Sequence, residues 1–138
     1  MRNTKMPFVS AAKLGEICGQ FPTPFHLYDA AGITENARRV NAAFAWNGGY
    51  REYFAVKATP TPAIMKLLRA EGCGMDCSSL TELMLCEKLG ISGEEIMFSS
   101  NDTPAAEFVL AHRLGPILNF ADISHLPFYD GCVGEYPA

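Results

Sequence analysis

The sequence predicts an α/β fold built on a sheet of parallel strands. Four short segments rich in apolar, aromatic and β-branched residues begin about every 22 residues along the chain. Each of the first three is followed by a helical stretch that opens on a capping signal and closes at a glycine. Strands and helices that alternate in this way are typical of parallel strands joined by right-handed crossovers. Doubly wound sheets and (β/α)8 barrels both satisfy the pattern, and periodicity alone leaves the two open.

Two segments precede this repeat. Residues 1–22 are predicted to be an N-terminal lead-in, and the proline-flanked residues 23–29 are predicted to be an extended segment. Asp29 is the predicted N-cap of a helix over residues 30–46, because apolar side chains recur there at helical spacing.

The predicted elements of the repeat follow one another closely. The strands are expected over residues 52–58, 73–78, 95–99 and 116–120. The helices are expected over residues 62–71, 80–89 and 104–114. Ser79 and Glu82 are spaced as a capping box at the start of the second of these helices. A last helix is expected to begin over residues 123–129 and to be cut short by Asp130 and Gly131.

The composition is that of an ordinary globular domain. The chain has 138 residues, of which 49% are hydrophobic and 19% charged, and its formal net charge is -4. This charge gives no reason to expect a nucleic-acid or membrane partner, and no apolar run is long enough to cross a bilayer. Lys13 and Glu16 interrupt any apolar stretch near the N-terminus, so no secretory signal is predicted. Five cysteines without disulfide or zinc spacing predict reduced thiols in a cytoplasmic protein.

Lys57 is the first candidate for chemistry. Alternation in the strand predicted over residues 52–58 puts Tyr53, Ala55 and Lys57 on one face and leaves the other face to pack beneath helices. Lys57 then points into a barrel interior at the carboxyl end of its strand, where barrel enzymes carry their reactive groups. An amine shielded from water in such a place can form a Schiff base with a carbonyl cofactor. The alternative is a strand-end lysine that extends its ammonium into water.

Asp76 is the second candidate. It lies in an otherwise apolar strand, with Gly74 and Ser78 on its face of the sheet. A carboxylate in that place needs a partner, and Lys57 on the neighbouring strand is a natural one. The alternative, which has equal weight, is that Asp76 is a carboxylate at the strand end that is hydrated by solvent and has no Lys57 partner.

Other polar residues carry weaker signals. Glu82 has a structural role in the capping box, which leaves a catalytic role as the minority interpretation. Residues 99–101 follow the third strand and could line a site, although loop polarity explains them equally well. His26, His112 and His125 share no metal spacing, so no metal site is predicted, and His112 is expected on the solvent side of its helix.

Four segments of the chain resemble one known family, and they occur in the right order and spacing. They are T-P-F-H-L-Y-D at residues 23–29, Y-F-A-V-K-A at 53–58, G-C-G-M-D-C-S-S-L-T-E-L at 72–83 and I-M-F-S-S-N at 96–101. Together they are similar to the diaminopimelate decarboxylases, within the alanine-racemase-like group of pyridoxal-phosphate-dependent amino-acid decarboxylases. The most specific part is the lysine of Y-F-A-V-K-A, which is followed nineteen positions later by an aspartate.

The resemblance implies an α/β fold that is a partial (β/α)8 TIM barrel, comprising about its first four βα units and lacking the rest of the barrel and the C-terminal β-domain. Residues 23–29 would pair with that β-domain, and residues 30–138 would be the truncated N-terminal part of the barrel. The implied cofactor is pyridoxal 5'-phosphate. The resemblance makes Lys57 the catalytic lysine that holds the cofactor as a Schiff base and makes Asp76 a cofactor-binding neighbour.

The implied reaction is the decarboxylation of a diamino acid, most directly meso-diaminopimelate in lysine biosynthesis. The implied partners are this small amino-acid substrate and, for the full-length family, a second subunit of a homodimer. An ornithine, arginine or carboxynorspermidine decarboxylase is the alternative within the family. The family's ring-stacking histidine and glycine-rich phosphate loop would lie beyond residue 138, so the chain alone is expected to be inactive. A non-catalytic α/β module, or a partner-binding relic of the enzyme, is the hypothesis from another class.

Overall fold

A computed structural model describes residues 6–134. The first five residues of the predicted lead-in and the last four of the predicted barrel segment lie outside the described residues. The helices and strands, in chain order, are α1 (Ala11–Gln20), α2 (Ala30–Ala43), β1 (Tyr53–Ala55), α3 (Pro62–Ala70), β2 (Gly74–Cys77), α4 (Leu80–Lys88), β3 (Ile96–Ser100), α5 (Ala105–Leu114), β4 (Ile117–Phe120) and α6 (His125–Val133). Within the described range, no helix combines the length and hydrophobicity needed to cross a bilayer.

The four strands form one parallel sheet in the order β1-β2-β3-β4. A helix connects each strand to the next. Spatial order therefore follows chain order, as in a (β/α)8 barrel, whereas a doubly wound sheet reverses direction at a switch point. The predicted α/β fold with parallel strands is confirmed.

The hydrophobic core lies between one face of the sheet and the helices. Alternate residues of the central strands are fully or almost fully buried on this face, and they pack against the apolar sides of the helices. The central members of this cluster are Met65, Met75, Cys77, Leu83, Ile96, Phe98 and Phe108. Because the helices cover this face, the opposite face holds the side chains that remain accessible for chemistry.

The opposite face of the sheet, which we call the open face, is partly exposed. Its register aligns Ala55, Asp76, Met97 and Ile117 in one row across the four strands. A second row, nearer the carboxyl ends of the strands, pairs Ser99 with Asn119, whose amide donates a hydrogen bond of 2.9 Å to the serine hydroxyl. The row at the carboxyl ends is therefore polar.

An aromatic ring covers the amino-terminal end of the open face. Gly74 is paired with Tyr53, and a Cβ atom at Gly74 would lie 2.5 Å from carbons of the Tyr53 ring. Only glycine therefore accommodates the ring in this position. The Tyr53 hydroxyl donates to the carbonyl of Glu94 at 2.7 Å, which holds the ring in place.

The first strand is shorter than predicted. The sequence predicts a strand over residues 52–58, but β1 ends at Ala55 and Val56–Ala58 forms a 3-10 turn. The Thr59 N–H donates to the Val56 carbonyl at 3.1 Å and closes this turn, and the Val56 side chain is fully buried. Lys57 therefore lies on a turn after the strand, because burial of Val56 bends the chain toward α3 before strand pairing can continue.

Three helices differ from the prediction, and of these α2 ends at Ala43 instead of residue 46. The lead-in contains α1, which Ser10 caps by accepting a hydrogen bond from the Lys13 N–H at 3.2 Å. No residue of α1 is buried, so the helix lacks the core-facing stripe that would reveal it in the sequence. The last helix continues through Gly131 to Val133, because the side chain of Tyr129 is completely buried. The Tyr129 ring lies edge-on against the ring of Phe108, with 5.2 Å between the ring centroids. Tertiary packing there outweighs the local preference for a turn.

Candidate functional site

A polar cavity lies at the carboxyl ends of the first three strands. Its volume is about 400 Å³. It is lined by Lys57, Asp76, Ser78, Ser99, Ser100, Asn101 and Asp102. Sequence reasoning selected Lys57 and Asp76 and named residues 99–101 as possible lining residues, and the structure brings all of them together. This is the edge of a barrel-type sheet where reactive groups are found.

Lys57 enters the cavity from the turn after β1. Its side chain is exposed, and among residues 6–134 its ammonium makes no ion pair within 4.0 Å. The expectation that Lys57 is shielded from water is therefore wrong for the described part of the chain, because the open face above the cavity is accessible. The amine lines the same cavity as Asp76 and interacts with its charge, without a direct ion pair between the two groups.

Asp76 is half-buried on the open face, opposite Ala55 in the register. Burial raises the pKa of the Asp76 carboxyl, the nearby positive charge of Lys57 lowers it, and the negative charge of Glu82 raises it. Lys57 is thus the electrostatic partner that the sequence predicts, although the two groups do not form a direct ion pair. The desolvation effect is larger than the attraction, so Asp76 is a carboxyl whose proton is held more firmly than in water.

Glu82 holds the turn that links β2 to α4. It is 6% exposed, and its carboxylate accepts hydrogen bonds from the Ser78 N–H at 3.2 Å and from the Ser79 hydroxyl at 2.8 Å. The predicted capping box is wrong in detail, since the Ser79 side chain makes no bond to a helix amide. Its hydroxyl donates to Glu82 instead, so one buried carboxylate organises the polar groups of the turn.

Two residues near the cavity were missed by sequence reasoning. Asp102 lines the cavity directly after the predicted residues 99–101, and Asn119 on β4 bonds to Ser99. Asp102 could have been found by extending the loop one residue further. Asn119 could have been found from the alternation of β4, which places it on the open face with Ile117.

None of the three histidines lines the cavity, although His125 lines a neighbouring one together with Asn101 and Asp102. The ring of His26 is stacked near Tyr28, and that of His125 contacts Phe108 edge-on. The Nδ1 atom of His112 is 2.9 Å from the Tyr129 hydroxyl, so His112 faces α6, and its predicted solvent-side position is wrong. In the part of the chain that the structure describes, no group of three His, Cys, Asp or Glu side chains is arranged to hold a metal ion.

The groups in the cavity fit the aldehyde end of pyridoxal phosphate. A primary amine free of ion pairs can condense with an aldehyde, and the neighbouring carboxyl can hold or release a proton. The serine hydroxyls and the Asn101 amide supply further hydrogen-bond donors and acceptors. Among the residues that line the cavity, Lys57 is the one cation, so these residues do not provide a separate cationic site for the phosphate group.

Comparison with known sequences identifies relatives. Residues 30–120 match the family model described as pyridoxal-dependent decarboxylase, pyridoxal binding domain. Protein TabA of Pseudomonas amygdali pv. tabaci is 50% identical over 113 residues, and the diaminopimelate decarboxylase of Deinococcus radiodurans is 35% identical over 107 residues. These alignments cover 82% and 78% of the chain but 27% of each relative. The chain therefore spans about a quarter of the length of these relatives.

Comparison with solved structures gives the same result. Diaminopimelate decarboxylase from Helicobacter pylori, complexed with L-lysine, superposes with a TM-score of 0.73 at 29% identity. The match covers 86% of the chain and 30% of that structure. The four-stranded sheet thus corresponds to the N-terminal part of a decarboxylase barrel, and the predicted partial barrel is confirmed. The chain belongs to the pyridoxal-dependent decarboxylase family, and residues 30–120 match the pyridoxal binding domain of that family.

Proposed function

We propose that Lys57 holds pyridoxal 5'-phosphate covalently and that the whole protein decarboxylates an amino acid. Support comes chiefly from one observation: the Lys57 amine, which makes no ion pair with a described residue, shares with Asp76 a cavity at the carboxyl ends of parallel strands. When bound, the cofactor supplies an electron sink for the loss of carbon dioxide.

The residues of the cavity have distinct tasks in this proposal. Lys57 binds and anchors the cofactor. Asp76 stabilises the positive charge of the Lys57 amine when that amine is protonated. Ser78 and the loop over residues 99–102 orient the bound molecule with their hydroxyl, amide and carboxylate groups.

The proposed substrate is a diamino acid, with meso-diaminopimelate first and lysine biosynthesis as the setting. The support is the similarity to a diaminopimelate decarboxylase at 35% identity. An ornithine, arginine or carboxynorspermidine decarboxylase is the alternative, because the 50% identical relative has a name that states no substrate. A homodimer and a cytoplasmic location belong to the same proposal, and the free cysteines are typical of a reducing compartment.

Trapping the cofactor on the chain tests the role of Lys57. The 138-residue chain is incubated with pyridoxal phosphate and then with borohydride, which makes the link between amine and cofactor permanent. Peptide mass spectrometry is expected to place the label on Lys57. Binding is expected to be weak, because the cavity residues offer no second cation to hold the phosphate.

Two variants provide the comparison. Lys57→Ala is expected to abolish the site-specific label, whereas Lys66→Ala, which removes an exposed lysine of α3, is expected to leave it unchanged. A label distributed evenly over the surface lysines, or one that persists at full yield in Lys57→Ala, would contradict the proposal.

A further inference from the structure

The turn between β2 and α4 is held by carboxylates from two different helices. Glu82 of α4 accepts from the Ser78 N–H, and Glu107 of α5 accepts from the Leu80 N–H at 2.9 Å. Leu80 is the first residue of α4, whose N-cap residue Ser79 makes no side-chain capping bond. Glu107 therefore supplies, from 27 residues away, a capping acceptor that the local sequence does not provide.

Glu107 lies where two helices begin. It belongs to the first turn of α5, and through Leu80 it also contacts the first residue of α4. The amino-terminal end of a helix carries a partial positive charge, so one carboxylate is stabilised by both helices. This arrangement fixes the start of α4 relative to the start of α5.

The position of Glu107 carries a cost. Its second carboxylate oxygen, Oε2, is buried and has no hydrogen-bond partner among the described residues. A buried oxygen without a partner destabilises the folded state, whereas an apolar side chain of similar shape would avoid the penalty. The other oxygen, Oε1, binds the Leu80 N–H and so stabilises the turn that places Ser78 in the cavity. This hydrogen bond offsets the cost of the buried Oε2.

We propose that Glu107 is a positioning residue of the site: by binding the Leu80 amide it fixes the β2–α4 turn and so holds Ser78 beside Asp76 and Lys57. Ser78 is two residues before Leu80, and it lines the cavity together with Asp76 and Lys57. As a positioning role for a cofactor site, this inference rests on the proposed function of Lys57. The anchoring of the turn can be measured without the cofactor.

Hydrogen exchange tests the anchoring. In Glu107→Ala the amides of residues 78–83 are expected to exchange about tenfold faster than in the unsubstituted chain, because a hydrogen bond to a charged acceptor is lost. Glu107→Gln keeps an oxygen at the Oε1 position and is expected to restore slow exchange. Glu87→Ala is the matched control, since it removes another polar side-chain contact between α4 and α5, the 2.6 Å pair with Arg113, away from the cavity.

Cofactor trapping tests the effect on the site. The yield of label on Lys57 is expected to fall several-fold in Glu107→Ala, to recover in Glu107→Gln and to be unchanged in Glu87→Ala. Equal effects of Glu107→Ala and Glu87→Ala in both assays, or a Glu107→Gln variant as impaired as Glu107→Ala, would overturn the inference. If the unsubstituted chain gave no label on Lys57, the proposed function would fail. Hydrogen exchange would then still test whether Glu107 anchors the β2–α4 turn.

A variant that lacks the Leu80 amide donor keeps the inference testable if Glu107→Ala does not fold. Leu80→Pro removes the amide donor without touching Glu107, and proline is well tolerated at the first position of a helix. Leu80→Ala loses the same side chain but keeps the N–H, and so is its control. Leu80→Pro is expected to reduce the label on Lys57 relative to Leu80→Ala, and equal labelling of the two would overturn the inference.

Discussion

At the scale of single residues, the site is built at the expense of stability. Asp76 is placed on a half-buried part of the sheet, where the effect of desolvation on its carboxyl exceeds the attraction of Lys57. A carboxylate in such a place destabilises the folded chain in its ionised form. Such a penalty is expected if Asp76 serves the chemistry proposed for Lys57.

Asp76→Asn is therefore expected to raise the melting temperature of the chain at pH 7 by a few degrees. The pKa of Asp76 in the folded state lies above its ordinary value of 3.8, so the folded state binds the proton more strongly than the unfolded state. The penalty is complete above the folded-state pKa and disappears below the unfolded value. Thermal melts at pH 7 and at pH 3 should show the stabilisation only at the higher pH.

The exposed residue Asp102 offers a matched control for this measurement. Asp102→Asn changes the same charge in the same cavity and is expected to leave the melting temperature nearly unchanged. A lower melting temperature for Asp76→Asn at pH 7 would show that the attraction of Lys57 exceeds desolvation.

Sequence reasoning identified some residues of the site and missed others for a physical reason. Lys57 and Asp76 are recognisable because short motifs surround them and because each lies near the carboxyl end of a strand. Glu107 is not recognisable, since its contact with Leu80 spans 27 residues and depends on how α5 packs beside α4. The capping spacing of Ser79 and Glu82 indicated the helix start but not the bonds that hold it.

At the scale of elements, local sequence signals predicted the order of the helices and strands correctly but placed several of their ends wrongly. The helix α5 ends where expected, because Gly115 adopts the left-handed conformation with φ 68° that favours glycine. The strand β1 ends early and the helix α6 runs on, because burial of Val56 and Tyr129 decides their course. Such burial depends on side chains from other elements and so is not visible in a local pattern.

The ends of α3 and β3 are joined by a bidentate ion pair between Arg69 and Glu95. The two bonds measure 2.8 and 2.6 Å, and the hydrogen bond from Arg69 lowers the pKa of Glu95. Glu95→Gln is expected to destabilise the chain at pH 7 by up to about 1 kcal/mol, since the pair is partly exposed to solvent. The urea midpoint measures this change, and Glu94→Gln at the exposed neighbouring residue is the control.

The pH dependence of this pair has a defined sign. The folded-state pKa of Glu95 lies below its ordinary value of 4.5, so the stabilisation is present above that value and is lost as the pH falls through the folded-state pKa. The difference between the unsubstituted chain and Glu95→Gln should therefore vanish in strong acid. Equal urea midpoints at pH 7 would mean that the pair does not contribute to stability.

At the scale of the whole molecule, the sheet is open at both sides. In the described part of the chain β1 and β4 each pair with one neighbour, and Ile117 on the open face is 39% exposed. Unpaired edges and exposed apolar side chains are templates for association with another chain. The 138-residue chain in isolation is therefore expected to self-associate, which sedimentation velocity measures directly.

A charge on the edge strand should weaken this association. Ile117→Lys is expected to shift the chain toward monomer, because a lysine on an edge strand disfavours pairing. Ile123→Lys adds the same charge at a residue that is 79% exposed and lies outside the sheet, so it is expected to change little. A concentration-independent monomer for the unsubstituted chain would contradict the expectation.

The ring of Tyr53 covers the open face beside Gly74, on the amino-terminal side of Asp76. Asp76 is two residues beyond Gly74, which at the rise of a β-strand is roughly 7 Å. On the amino-terminal side of Asp76, the surface beside Gly74 is already occupied by the phenol ring. The tyrosine thus limits the accessible part of the open face to the carboxyl-terminal side of Gly74, where the polar residues of the cavity lie.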